Sequence, residues 1–341
     1  MLPKSMIILS LPVLLLVMTA STDGGAEPGP ARNEVTAVSG LTAKAQAGDA
    51  IAQNNLGVFY LKGKGVSQDY VRARELFEAA AEQHLPGAMF NLGTVYLRGY
   101  GVAAEPSRAL DWFQRAAALD DRESQFLLGV MYTRGQGTSP DPQLAKGWFQ
   151  KAATAGMAAA QFNLAMLMLQ NPVGNEDEAQ TLEWLEKAAQ QGYKRANLAI
   201  AKLDLSHNDD PSRLAHAATV LRELAHGGDP EGQMQFGLMN LFGKGLPLDE
   251  GEGRFWLRES ALQGLVAAQM SLSSVFAQGI GTAQDPVEAY AWLSVAADQD
   301  KELRSALLES STHLTSEQHK QAELLAHELR NRIPDQNNPP D

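Results

Sequence analysis

The fold of this chain is decided by the stretch at residues 48–84, which reads GDAIAQNNLGVFYLKGKGVSQDYVRARELFEAAAEQH. The same pattern returns every 36 residues without insertion or deletion, in seven segments that begin at residues 49, 85, 121, 157, 193, 229 and 265. We call these segments frames one to seven. All five tryptophans occupy one equivalent position, at Trp112, Trp148, Trp184, Trp256 and Trp292. A fixed period of this length is typical of a solenoid, in which each repeat packs on its neighbours.

Each frame predicts two helices, A and B, joined by a glycine loop. Between Ala52 and Tyr60 the apolar residues follow helical spacing, which gives helix A one apolar face. Gly63 and Gly65 are expected to end helix A, because glycine readily adopts positive φ. Asp69 is expected to cap helix B by accepting hydrogen bonds from its free N–H groups. The equivalent acidic residues are Glu105, Asp141, Asp177, Asp249 and Asp285.

Small and large residues alternate in a way that predicts close helix packing. One position in helix A holds only Gly, Ala or Ser, at Gly57, Gly93, Gly129, Ala165, Ala201, Gly237 and Ser273. Short side chains allow helix axes to approach closely. We interpret the tryptophans as core residues, with a platform for an aromatic ligand as the alternative. The fold class predicted is all-α, a right-handed α-solenoid of helix-turn-helix repeats with a 36-residue period.

This pattern resembles the Sel-1-like repeat family, a relative of the tetratricopeptide repeats. The matching residues of frame one are Ala52, Gln53, Leu56, Gly57, Tyr60, Gly63, Gly65, Val66, Asp69, Ala73, Phe77, Ala79 and Ala80. The resemblance covers roughly residues 35–330. It implies an adaptor that holds other proteins together. In bacteria it also implies an exported protein that acts in the envelope.

The sequence outside the frames predicts an export signal and two caps. Lys4 precedes the apolar residues 6–18, which are too few to span a bilayer comfortably, so residues 1–26 are predicted to be a signal peptide. An uncleaved membrane anchor is the alternative. The remaining predicted segments are a flexible leader at 27–34, a capping half repeat at 35–48, seven repeats at 49–300, capping helices at 301–332 and a disordered tail at 333–341. Within the second cap, Thr315 and Gln318 are expected to form a capping box.

Composition excludes several classes of function. The chain has no cysteine, which excludes disulfides, thiolate chemistry and cysteine-bound zinc. Its net charge of -12 argues against nucleic acid, because phosphates require a basic surface. We predict no cofactor, no membrane span after signal cleavage, and leave the oligomeric state open.

No catalytic constellation emerges from the sequence. The best metal candidate is the group of His207, Asp209, Asp210 and His216, but it lacks a compact pair of ligands on one helix turn. The glycine loops lack the strand and lysine of a phosphate-binding loop. We therefore predict that the protein is not an enzyme, with a hydrolase or binding factor of the cell wall as the alternative.

Polar residues that recur within helix A are the candidate binding residues. Asn55, Asn91, Asn163 and Gln235 share one position, and Lys62, Arg98 and Arg134 share another at the helix end. The amides either bond an extended peptide in the concave groove of the solenoid or bond the backbone of their neighbours. The cations form a local positive rim or an ordinary solvated surface. The function predicted is an exported adaptor, periplasmic or secreted, that binds a protein or peptide partner.

Frames four and five depart from the pattern. The glycine loop is replaced by residues 171–174 and by residues 206–211, and the tyrosine of helix A by Met168 and Asp204. Either these loops form a local contact or they have drifted where the fold tolerates change. Asp210 or Ser212 is expected to cap the helix that follows.

Overall fold

The computed structural model of the protein describes residues 31–170 and 175–334. The predicted signal peptide, the first half of the predicted leader (residues 27–30), the loop at 171–174 and residues 335–341 lie outside the described residues. The described part contains seventeen α-helices and no strand. The prediction of an all-α repeat fold is confirmed.

Two α-helices occupy every frame. The A helices are α2 (Ala50–Lys62), α4 (Pro86–Arg98), α6 (Arg122–Arg134), α8 (Ala158–Gln170), α10 (Lys194–Ser206), α12 (Pro230–Phe242) and α14 (Val266–Gln278). The B helices are α3 (Tyr70–Glu82), α5 (Pro106–Ala117), α7 (Pro142–Thr154), α9 (Asn175–Gln190), α11 (Pro211–His226), α13 (Glu250–Leu262) and α15 (Pro286–Gln299). Helix α1 (Ala31–Gln46) precedes them, and a 3₁₀ turn (Lys301–Leu303), α16 (Arg304–Ser311) and α17 (Ser316–Arg332) follow.

The chain divides into two compact units, Met1–Trp184 and Leu185–Asp341. In the first unit, buried Ala45 of α1 packs with Leu56 and Leu76 of frame one. In the second, Trp292 of α15 lies in one apolar cluster with Ala326 and Leu329 of α17. Each unit therefore covers its terminal repeat with a helix from outside the frames, as an open solenoid end requires.

The helix ends follow the predicted chemistry with two exceptions. Gly63 has φ of 65° and its N–H bonds the Phe59 carbonyl, while the Asp69 side chain accepts from the Arg72 N–H at 2.9 Å. Asp141, Asp210, Asp249 and Asp285 cap their helices in the same way.

The predicted cap at Glu105 is wrong, because its side chain makes no capping bond and instead lies 3.8 Å from the guanidinium of Arg108. Asp177 lies within the first turn of α9, which begins at Asn175, and not at the predicted position just before the helix.

In frame two, a small residue of helix A fits against a large residue of helix B. A Cβ at Gly93 would lie 2.7 Å from the ring of Phe113, which is fully buried. Frame five has Ala201 in place of this glycine and the smaller Leu221 in place of the phenylalanine, and both are fully buried. In that frame the combined volume is kept although both residues change, as close packing favours.

The five tryptophans do not share one environment. Trp184, Trp256 and Trp292 are buried, which confirms the core interpretation for these three, whereas Trp112 and Trp148 are half-buried. The indole N–H groups of Trp256 and Trp292 donate to carboxylates one turn earlier, at Glu252 and Glu288. Frames two and three have Arg108 and Leu144 at that place, so they offer the indole no such acceptor.

The last helix is fixed by apolar contacts, a capping box and a hydrogen bond. The predicted capping box is confirmed, because Thr315 and Gln318 bond each other's backbone N–H groups. The hydroxyl of buried Tyr290 donates to Glu323 of α17 at 2.9 Å. Burial, followed by the hydrogen bond to Glu323 and its negative charge, raises the pKa of Tyr290 to about 12.

Replacing Tyr290 with phenylalanine tests this contact. The raised pKa means that the folded protein holds the phenol proton more tightly than the unfolded chain does. That stabilisation is present below about pH 10 and is lost as the pH rises towards about 12. We expect Tyr290→Phe to cost about 1 kcal/mol of unfolding free energy at pH 7, and the difference from wild type to shrink above pH 10. Denaturant unfolding at pH 7 and pH 11.5 measures it, and an equal difference at both values would contradict the assignment.

Candidate partner-binding face of the A helices

The candidate binding residues lie on one side of the A helices. Asn55 and Lys62 are seven residues apart in α2, and Asn91 and Arg98 have the same spacing in α4. Seven residues are about two helical turns, so each pair points to the same side. We call this surface in frames one to three the A face, made of Asn55, Lys62, Asn91, Arg98 and Arg134; the position equivalent to Asn55 in frame three holds the buried Leu127.

The recurring amides differ in exposure and in partners. Asn91 is half-buried and donates to the Asn54 side chain of the preceding A helix at 2.8 Å. Asn163 is only 4% exposed and donates to the Ala159 carbonyl of its own helix at 2.7 Å. Asn55 is exposed and Gln235 is half-buried. The equivalent position is therefore a packing position in frame four and an accessible one in frame one.

The three cations end their helices. Lys62, Arg98 and Arg134 are the last residues of α2, α4 and α6, where a positive charge is favourable beside the free carbonyl groups. Lys62 and Arg98 are exposed and Arg134 is half-buried. The other four frames carry no charge there, at Gln170, Ser206, Phe242 and Gln278. The basic rim is thus confined to frames one to three.

A row of buried glutamines joins successive frames and was missed by the sequence reasoning. Gln53 donates to the Ala45 carbonyl at 3.2 Å, and Gln161 donates to the Ala153 carbonyl at 3.2 Å. Gln233 and Gln269 make the same bond to Ala225 and Ala261. Each bond satisfies a carbonyl near the end of the preceding helix, which is α1 for Gln53 and a B helix for the other three. Its signal in the sequence is a glutamine at one position of five frames, at Gln53, Gln125, Gln161, Gln233 and Gln269.

The predicted metal candidates are engaged with other groups. His216 Nδ1 lies 2.6 Å from the buried Asp204 carboxylate, and Arg213 lies 3.8 Å from the same carboxylate. His207 contacts Arg213 and the Leu203 carbonyl. Within residues 31–170 and 175–334, no three His, Cys, Asp or Glu side chains are placed to bind one metal ion.

Among the helices that the structure describes, none is both long enough and apolar enough to cross a bilayer.

The solved structures that the chain resembles include two Sel1-type repeat proteins with TM-scores above 0.5. A Sel1 repeat protein from Oxalobacter formigenes is 30% identical, with 80% of this chain and 79% of that chain covered and a TM-score of 0.61. The protein c5321, described as a protective antigen present in uropathogenic Escherichia coli strains with an SLR fold, is 28% identical over 88% of this chain and 73% of that chain, with a TM-score of 0.55. A comparison with curated proteins gives no match.

The family model named Sel1 repeat matches more than half of the chain. The matched segments are residues 50–85, 86–121, 122–157, 158–193, 230–265 and 266–301. Frame five is not matched, although it contains α10 and α11; it lacks the glycine loop and has Asp204 in place of tyrosine. With six segments in register and the helix pairs in place, the chain belongs to the Sel1 repeat family.

Proposed function

We propose that the protein is an exported, non-enzymatic adaptor that binds an acidic segment of a partner protein on the A face. Sel1 repeats generally mediate protein interactions, which supports the binding role. The observation that carries the proposal is the row of Lys62, Arg98 and Arg134 in a protein of net charge -12. Because most of this protein's charge repels acidic ligands, a local cationic row is a selective place for one.

The amides of the A face complement the cations. Asn55 is exposed, and Asn91 is half-buried beside it through its bond to Asn54. Side-chain amides both donate and accept, so they can bond the backbone of an extended segment. The cations would then bind acidic side chains of that segment at the ends of α2, α4 and α6.

The proposed location is periplasmic or secreted, with an anchored protein facing out of the cytoplasm as the alternative. Support comes from the charged start, the short apolar run and the small residues before residue 27. The similar protein c5321 is a protective antigen, which is compatible with an exported chain. Sequencing the N-terminus of the protein from fractionated cells tests this. A mature chain should begin between about residues 21 and 27, and an intact Met1 in the cytoplasm would contradict export.

Affinity capture tests the A face. The wild-type protein and the double variant Asn91→Ala, Arg98→Ala are used as baits for envelope extract. We expect the variant to recover at least about tenfold less of the captured partner, which corresponds to about 1.4 kcal/mol. The matched control is Ser271→Ala, Gln278→Ala, which changes the equivalent positions of frame seven and should capture normally. Equal capture by both variants would show that the partner does not bind the A face.

A further inference from the structure

Two clefts lie at equivalent places in their frames. The cleft of frame two has a volume of about 470 Å³ and is bounded by Ala81, Met89, Trp112, Arg115 and Leu119. The cleft of frame five has about 400 Å³ and includes Asn197 and Val220 at the positions of Met89 and Trp112. Both frames lack the glutamine that bonds the preceding helix in frames one, four, six and seven. Each of these two clefts therefore lies beside an interruption of the glutamine row.

Met89 gives the frame-two cleft an apolar floor. It is 4% exposed and stands where Gln53 and Gln161 donate to an alanine carbonyl in their own frames. The carbonyl equivalent to theirs is that of Ala81, which accepts from the His84 N–H at 2.9 Å. A thioether cannot donate to it, so the floor offers apolar surface where other frames present an amide.

Trp112 gives the cleft an aromatic wall with an unused donor. The side chain is half-buried, and the guanidinium of Arg115 lies 4.6 Å from its ring centre. Across the residues described, no acceptor bonds its indole N–H, whereas Trp256 and Trp292 donate to carboxylates. Leu119 is 45% exposed at the rim. An apolar group bound in this cleft would contact Met89, Trp112 and Leu119, and a polar atom next to it could accept a hydrogen bond from the Trp112 indole N–H.

The charge beside the cleft favours an acidic group. Arg115 and Lys151 occupy equivalent positions in frames two and three, each over a tryptophan ring, at 4.6 and 4.3 Å. Both are exposed, and no carboxylate among the described residues lies within 4.0 Å of either cation. The lining also includes one carboxylate, Glu82, and the exposed His84. Carboxylates of a ligand are thus favoured beside Arg115 and disfavoured beside Glu82.

We propose that this Trp112 cleft is a docking site for a segment of a partner protein that carries a phenylalanine- or leucine-sized side chain followed by acidic residues. The apolar side chain packs on Met89 and Leu119, a carbonyl accepts from the Trp112 indole, and a carboxylate pairs with Arg115. The lining comes from α3, α4, α5 and the turns that follow α3 and α5, and it includes none of the A-face residues, so this site requires neither the A face nor export.

Titration with defined peptides tests the proposal on the whole chain. The probe is acetyl-Gly-Ser-Phe-Asp-Glu-Ser-Gly-amide, and its matched control replaces Asp-Glu with Lys-Lys. The indole N–H signals of the five tryptophans are followed by NMR, and Trp112→Phe assigns one of them. We expect the Trp112 signal alone to shift, with a dissociation constant below about 1 mM for the acidic peptide and at least about tenfold weaker binding for the lysine peptide. Trp292 is fully buried and should not respond.

Three substitutions define the site. Met89→Gln restores the residue of five other frames, so the thermal unfolding temperature should not fall, while a polar floor should weaken acidic-peptide binding about tenfold. Arg115→Gln should remove the preference for the acidic peptide, and Glu82→Gln should increase it about two- to threefold.

The proposal is overturned by no shift at Trp112 up to about 5 mM peptide, by equal binding of the two peptides, or by unchanged binding to Met89→Gln. The variant Asn91→Ala, Arg98→Ala should bind the peptide normally, so a failure of the A face and a failure of the cleft can be told apart.

Discussion

Replacing Gly137 with alanine is expected to lower the unfolding free energy by about 3 kcal/mol or more. Two causes add. Gly137 has φ of +73°, which strains any residue with a side chain, and a Cβ there would lie 2.4 Å from the carbonyl carbon and oxygen of Pro106. Pro106 begins α5 of the preceding frame, so the loop of frame three touches backbone that no rotamer change can move.

Gly156→Ala is the matched control for this substitution. Gly156 has φ of +86°, but a Cβ there meets nothing within 4 Å, so only the conformational strain remains, about 1 kcal/mol. Urea unfolding of the two variants by circular dichroism measures the difference. A loss as large for Gly156→Ala as for Gly137→Ala would show that close approach between frames is not what requires the second loop glycine.

Replacing Gly93 with alanine is expected to cost about 2 kcal/mol, because the added methyl group would lie 2.7 Å from the buried ring of Phe113. Another frame indicates which second substitution should restore the packing. Frame five has Ala201 and Leu221 at these two positions, and both are fully buried. Phe113→Leu alone should cost about 1 kcal/mol by leaving space beside Gly93.

The double variant Gly93→Ala, Phe113→Leu should lose less unfolding free energy than the sum of the losses in the two single variants. We expect a coupling of about 1–2 kcal/mol in the double-mutant cycle, since the alanine and the leucine fit each other. Additive losses within about 0.5 kcal/mol would contradict a direct volume exchange between these two positions.

The shared residues of the frames could be interpreted from the sequence because their roles are local. Positive φ at Gly63 and the cap at Asp69 depend on a few adjacent backbone groups. Glu105 was misassigned although it is also acidic, because its longer side chain is near Arg108 instead of the helix N–H groups. Asp177 was misassigned because the period fixes where a helix lies but not the turn at which it begins.

The environment of a repeated residue could not be predicted from its position alone. Asn55 and Asn163 are equivalent in sequence, yet one is exposed and the other is buried with a bond inside its own helix. Trp112 is half-buried, whereas Trp292 is fully buried in a cluster that includes residues of α17. Frame two likewise has Met89 at the glutamine position, and what this replacement changes can be judged only beside the glutamine bonds of the other frames.

We propose that the residues shared by the frames form the repeat fold, and that residues that differ between frames bind the partner. The most direct test is the dissociation constant of the captured partner for the variant Asn91→Ser, Arg98→Gln, Arg134→Gln. Asn91→Ser and Arg98→Gln introduce the residues that frame seven has at the equivalent positions, Ser271 and Gln278. Arg134→Gln makes the same arginine-to-glutamine change in frame three. We predict an unfolding transition close to that of wild type and binding weakened by at least about a hundredfold, or about 2.7 kcal/mol. An unchanged dissociation constant for this folded variant would contradict the account.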